Sequence, residues 1–337
     1  MTQRFLSLVL FLLGFAAAQA DYTVQPGDTL YRIATAHGLT AAELARFNAL
    51  TDPDRLRVGQ VLRLPGAPQP SDFQAPFSAI RLEPETPVQG RSFGLRVALE
   101  SPVTLSARFL DWDYELSPSS TGARGVLAVP ALQEPGVYPL VLRAPGGESL
   151  TVLVRVVIGD YRRESITLPP ESATLLQRDL IRDELAYVRS HCRTFEGTPR
   201  WSGAFRYPLD NPVLTSGFGT RRSYNGGPYT SYHEGLDFRG DASTPVYAAA
   251  AGKVVIAERL TVRGNAVYLL HGLSVCTGYM HLDRLEVVPG QEVGQGELLG
   301  YVGMTGLATG PHLHWEVRVR EIPVDPGPWV DAPPFGD

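Results

Sequence analysis

The spacing of apolar positions divides the chain into stretches of different period. Tyr22-Thr23-Val24 reads as a short strand, with a turn at Pro26-Gly27-Asp28. Leu30, Ile33 and Ala34 then fall at helical spacing behind Asp28 or Thr29, either of which can cap. A second helix starts at Thr40, with Glu43 three residues on in a capping-box pattern, and carries Leu44 and Phe47. Val61 to Leu64 alternates and stops at Pro65, which completes a βααβ unit.

Farther along, the period becomes two. Phe93, Leu95, Val97 and Leu99 alternate with Ser92, Gly94, Arg96 and Ala98, and Val152, Val154, Val156 and Ile158 form another such set. Turn residues such as Pro145-Gly146-Gly147 separate the runs, so this stretch predicts an Ig-like antiparallel β-sandwich. Ile181, Leu185, Val188 and Cys192 then mark one apolar face of a helix over about Glu171 to Arg193. Its other face carries Arg178, Arg182, Arg189, Asp179 and Asp183, which reads as solvated. From Trp201 onward short strands and glycine turns predict an all-β domain.

The fold expected is multidomain and mainly β. Its parts are a leader at 1–20, the small βααβ module at 21–65 and a Pro-rich linker at 66–79. The sandwich follows at 80–160 as a spacer, then a linking helix at 161–200 and the C-terminal domain at 201–337. Composition agrees: 44% of residues are apolar, and Gly and Pro together make up about 18%. A net charge of −5 gives no basic coat for nucleic acid or anionic membrane.

The leader changes the picture of location. Arg4 precedes an apolar run from Phe5 to Ala18, and Ala18-Gln19-Ala20 has the small-x-small cleavage pattern. That run is too short for a bilayer span, which needs about 20 residues. The expectation is an exported protein without a membrane span after cleavage, in periplasm, cell wall or medium. Only two cysteines occur, Cys192 and Cys276. Outside the cell an even pair can bridge. A bridge would close a loop of about 84 residues, contributing about 4–5 kcal/mol in the chain-entropy account. The alternative is two buried thiols that never meet.

The first module resembles LysM. The resemblance rests on Tyr22 through Leu30, Ile33-Ala34, Asn48, Leu56 through Gln60 and Leu64-Pro65. It implies a partner: glycans containing N-acetylglucosamine, such as peptidoglycan. Carried over to this chain, the glycan groove falls on Asp28, Thr29 and Leu30 and on Leu56 and Val58. The alternative is that those residues only hold a small fold together.

Five of the seven histidines fall in the C-terminal domain: His233, His271, His281, His312 and His314. Imidazole is both the commonest metal ligand and the acid–base group nearest neutrality. His312-Leu313-His314 on a strand puts both imidazoles on one face. His233 and Asp237 are four residues apart. Two His and one Asp make a three-ligand set for zinc with a fourth position open to water. Glu234 superficially completes an H-E-x-x-H pattern, but that motif needs a helix, which Gly235 opposes, and a second His where Asp237 stands.

The segment from Phe205 to Trp329 resembles the lysostaphin/LytM-type zinc metallopeptidases. The matching stretches include Ser216-Gly217-Phe218-Gly219, His233 through Phe238, Thr244 through Ala249, Gly278 through Leu282 and Thr309 through Glu316. The resemblance implies one zinc ion per chain, held by His233, Asp237 and His314. It implies His281 and His312 as the catalytic pair, and an endopeptidase acting on the peptide stems and cross-links of peptidoglycan. His271 reads as structural, and Tyr279 as packing. An alternative is a non-enzymatic LytM-domain regulator that activates cell-wall amidases, but such proteins have lost the zinc ligands. A purely adhesive protein would leave the histidine constellation without a role.

Overall fold

A computed structural model describes residues 21–37, 39–52, 55–64, 73–167, 178–229 and 231–335. The expected leader, the first half of the linker and the first turns of the expected linking helix lie outside these residues. Among the described residues no helix is long and apolar enough to cross a membrane. Two compact units emerge, residues 1–74 and 75–337.

In the first unit β1 (Asp21–Thr23) and β2 (Val61–Arg63) pair antiparallel around α1 (Leu30–Ala36) and α2 (Ala41–Phe47). Thr29, rather than Asp28, caps α1 by accepting from the Arg32 amide. Thr40 and Glu43 form the reciprocal capping box of α2, which satisfies backbone groups that a seven-residue helix would otherwise leave open. Ala34, Leu44 and Leu62 are fully buried and make the small core.

The second unit begins with a sandwich. One sheet has the order β3-β4-β8-β7 and the other β10-β9-β5-β6, all antiparallel. The strands are β3 (Phe77–Glu83), β4 (Ser92–Leu99), β5 (Ser106–Phe109), β6 (Trp112–Glu115), β7 (Ser117–Ser119), β8 (Gly122–Ala128), β9 (Gly136–Arg143) and β10 (Ser149–Val156). Phe93, Leu95 and Val97 point inward, as the alternation requires. Phe93 meets Phe109 of the opposite sheet edge-on, with ring centroids 5.3 Å apart. β3 starts three residues ahead of the boundary expected at 80, because Phe77 is itself a buried core residue paired to Leu99.

After the sandwich come β11 (Arg163–Ile166) and α3 (Arg178–Cys192). The C-terminal strands are β12 (Val213–Ser216), β13 (Arg221–Tyr224), β14 (Ser231–Tyr232), β15 (Leu236–Arg239), β16 (Pro245–Tyr247) and β17 (Gly252–Leu260). They continue with β18 (Gly264–Gly272), β19 (Val275–Leu285), β20 (Glu292–Val293), β21 (Leu298–Val302), β22 (His312–Val319) and β23 (Ile322–Val324), and α4 (Gly327–Asp331) closes the chain. The main sheet runs β12-β15-β22-β19-β18-β17-β20. β11 is a feature the sequence did not announce: it pairs parallel to β13, so the segment before the helix enters the C-terminal domain.

The sandwich packs directly on that domain. The Asp325 amide donates to the Gly90 carbonyl, Trp112 Nε1 donates to Glu321, and Phe335 lies beneath the Arg96 guanidinium. α3 lies against β17 and β18 with Val188 and Cys192 in a shared core that contains Ile256, Tyr268 and Met280. A disulfide joins Cys192 to Cys276 of β19, with Cα atoms 5.4 Å apart.

Candidate metal centre

Three adjacent strands bring the centre together. In the antiparallel register Asp237 of β15 lies opposite His314 of β22, and His314 lies opposite Met280 of β19. Period two then puts His312 and His314 on one face, with Leu313 fully buried on the other. His233 approaches from the loop before β15. Gly235 is needed there, because a Cβ would strike the Trp315 carbonyl and the His314 ring.

His233 Nε2, His314 Nδ1 and Asp237 Oδ1 converge. The carboxylate oxygen is 2.9 Å from the first nitrogen and 2.7 Å from the second, and the nitrogens are 2.9 Å apart. The outer atoms fix the chemistry of the inner ones. His233 Nδ1 donates to the Gly217 carbonyl at 3.0 Å, and His314 Nε2 donates to Glu316 at 3.2 Å. With the outer nitrogen carrying the proton, a neutral ring at either position turns its inner lone pair toward the carboxylate oxygen. Three buried electron-pair donors facing one point form a candidate cation site, with the outer hydrogen bonds orienting them. Two nitrogens and one oxygen suit zinc.

The electrostatics agree with that design. Burial pushes His233 down to about 4, so its ring is neutral and free to ligate. Burial opposes charge on Asp237, but the two imidazoles at its oxygen hold the carboxyl well below the usual range. Burial likewise opposes charge on His314, yet its bonds to Asp237 and Glu316 raise it to about 9. Without a cation, a proton on His314 Nδ1 satisfies the same convergence of acceptors.

His281 and His312 stand beside the cluster. Their ring centroids are 4.8 Å apart, and His281 is 6.2 Å from His314. His281 Nδ1 donates to the Thr305 carbonyl at 2.8 Å, and His312 Nδ1 donates to the Gly310 carbonyl at 2.8 Å. Each ring thus keeps its lone pair on Nε2, and that of His312 lies 3.9 Å from Asp237 Oδ1. Burial, and then the neighbouring His312 and His314, lower His281 to about 3, so it is neutral near pH 7. A cleft of about 480 Å³ opens alongside, lined by Glu164, Arg222, Tyr224, Asp237, Thr309 and His312.

His271 lies away from this group. It is fully buried and bonded to the Ala251 carbonyl and the Thr277 hydroxyl. Tyr279 is also fully buried, and its hydroxyl accepts from the Ala249 amide. In the LysM-like unit, Asp28 accepts from the Tyr22 hydroxyl and the Gln25 amide, Thr29 caps α1 and Leu30 is buried in the core. Leu56 is half-buried and Val58 is 66% exposed.

Sequence reasoning did not assign the outer partners. Arg222 donates to Asp237 Oδ2 at 3.0 Å and to Glu164 at 3.3 Å. Glu316 also accepts from Arg318 Nε at 2.7 Å, and Arg318, fully buried, pairs in turn with Glu234. Glu234 is thereby committed to an ion pair. Glu316 sits two residues past His314 on the same strand face, a spacing that could have flagged it.

Comparison with known proteins bears on this arrangement. Residues 231–326 match the profile of Peptidase family M23, and residues 22–65 match that of the LysM domain. Peptidoglycan DD-endopeptidase ShyB of Vibrio cholerae is 39% identical over 122 residues, which is 36% of this chain and 29% of that protein. DD-carboxypeptidase/endopeptidase Mpg of Neisseria meningitidis is 43% identical over 94 residues, 28% of this chain and 22% of that protein. The match thus spans less than a third of either relative's length. A Pseudomonas aeruginosa crystal structure assigned to peptidase M23 is 30% identical with a TM-score of 0.57. The similarity covers 73% of this chain and 95% of that one. On that coverage, together with the matching profile, the chain belongs to peptidase family M23.

Proposed function

We propose that this protein is an exported cell-wall hydrolase, a zinc-dependent endopeptidase that cuts the peptide stems or cross-links of peptidoglycan. The observation that carries the reading is the convergence of His233, Asp237 and His314 within 2.9 Å, beside two further imidazoles at the edge of an open cleft. His233, Asp237 and His314 would hold the ion. When bound, it supplies Lewis acidity to a scissile carbonyl and to water.

The protein's own groups do the rest. Arg222 and Glu316 keep Asp237 and His314 aimed inward. His281 and His312, each with its Nδ1–H tied to a carbonyl, present Nε2 lone pairs to the reacting group. One ring accepts a proton from the attacking water at Nε2, and the Nε2–H so formed steadies the tetrahedral oxyanion and then delivers that proton to the leaving nitrogen. The carbon–nitrogen bond breaks, and the atoms of water end on the new carboxylate and amine.

The module at 22–65 supports glycan as the second partner. A weak glycan contact tethered to a hydrolase raises its effective concentration on an insoluble polymer. Periplasm, cell wall or medium is the matching location. The test is digestion of purified sacculi by the full chain, with chelator and His314→Ala as controls and fragments identified by mass spectrometry. New peptide termini that vanish in both controls support the reading. Release that survives both contradicts it.

A further inference from the structure

We propose that Glu184, on α3 and outside the segment that matches the family profile, is a positioning residue for His281. Glu184 is a carboxylate on the inward side of the helix and is 8% exposed. It accepts from three donors on one turn: the Val262 amide at 2.7 Å, the Arg263 amide at 3.0 Å and Arg263 Nη1 at 3.0 Å. A buried carboxylate clamping two successive backbone amides fixes the path of that turn.

The turn in turn holds His281. The Arg263 carbonyl accepts from the His281 amide at 3.0 Å. The Val262 carbonyl accepts from the Leu307 amide at 2.7 Å, and the Asn265 amide donates to Thr305 Oγ1 at 2.8 Å. Thr305 is the residue whose carbonyl takes the Nδ1 proton of His281. Gly264, with φ +67°, lets the turn approach Thr305 so closely that any Cβ there would collide with its backbone. His281 itself has φ 61°, a left-handed conformation that a non-glycine residue keeps only where its surroundings impose it.

Both bonds that orient His281, at its amide and at Nδ1, therefore run through loops that Glu184 braces. The disulfide from Cys192 anchors the same helix to β19, the strand that carries His281. By contrast, among the described residues Glu184 bonds to Val262 and Arg263 and not to His233, Asp237 or His314, so its effect should separate from metal binding. The inference rests on the proposed role of His281.

The test is Glu184→Gln in the full chain. It keeps the shape but opposes an amide donor to the backbone donors. Tyr187→Phe is the control, since Tyr187 lies on the same helix and bonds only to Glu258 by its hydroxyl. Expected for Glu184→Gln is a fall of about 10–100-fold in kcat on a soluble cross-linked muropeptide, with KM and zinc affinity within about twofold. The His281 ring-proton resonance in a nuclear magnetic resonance spectrum should shift or disappear, while that of His233 stays. An unchanged kcat, or a loss shared by zinc affinity, would overturn the proposal. If Glu184→Gln does not fold, Glu184→Asp, which keeps the charge beside Arg263 but retracts it, carries the same measurements. If the parent protein cuts nothing, the endopeptidase reading fails. The His281 resonance still decides whether Glu184 positions that ring.

Discussion

Glu316→Gln isolates what an outer partner contributes to the proposed metal centre. Glu316 is 2% exposed and divides its two oxygens between His314 Nε2 at 3.2 Å and Arg318 Nε at 2.7 Å. The first bond fixes the His314 tautomer and makes the ligating nitrogen more basic. Glutamine can still accept at one oxygen, but without the charge. Loss of such a partner weakens a metal site by about 10–100-fold, or about 1.4–2.7 kcal/mol. A second consequence is separable. Arg318 keeps Glu234 and the Glu321 carbonyl, so the fold without metal should lose about 2 kcal/mol, the scale of one charge-assisted hydrogen bond. Zinc affinity of the folded variant, measured by competition with a chromogenic chelator, reads the first effect, and urea unfolding with chelator present reads the second. Affinity within twofold of the parent, in protein shown to be folded, would refute the argument that Glu316 tunes the ligand.

Other outcomes follow from the same structure. Reduction of the Cys192–Cys276 bridge, or Cys192→Ser, should cost about 4–5 kcal/mol in denaturant unfolding by the loop-entropy account, and a change below about 1 kcal/mol would contradict it. His271 is held neutral by burial, at about 4 in the folded chain against about 6.5 unfolded. Its contribution is therefore complete above about pH 6.5 and is lost as pH falls toward 4. In His271→Gln the slope of stability against pH in that window should drop by about 1.4 kcal/mol per unit, and an unchanged slope would refute the assignment. Val58→Asp, on the exposed face of the first module, should weaken sedimentation with sacculi roughly tenfold while leaving hydrolysis of soluble fragments unchanged. Equal binding by parent and variant would place the glycan contact elsewhere.

Local rules carried the sequence reading where the physics is local. The Thr40–Glu43 capping box, the alternation through Phe93 to Leu99 and the single face of His312 and His314 all depend on neighbours a few residues apart. The two helices of the first module and β4 appear where that spacing puts them, whereas β10 stops at Val156 and leaves Ile158, expected in the same alternating set, outside the strand and exposed. Interactions between distant segments were not legible in the same way. Glu184 has the sequence signature of one more charge on a charged helix. Only the packing of α3 on the turn at 262–263 turns it inward. Arg318 falls within an apolar strand and is tolerated there because Glu316 and Glu234, 84 positions from it in the second case, both meet it. The parallel pairing of β11 with β13 likewise joins segments whose own patterns say nothing of each other. Spacing suggested which residues make up the candidate metal site, while their orientation depends on carbonyls such as Gly217 O, to which any residue type can contribute.

The most direct measurement is cleavage of a purified cross-linked muropeptide dimer while zinc is titrated into chelator-stripped protein. The account predicts no cleavage at the start and a rise that saturates at one ion per chain. His281→Ala and His312→Ala should bind that ion and remain inactive, and His314→Ala should lose the ion as well. Cleavage by the stripped protein, or by His314→Ala, would contradict the central claim.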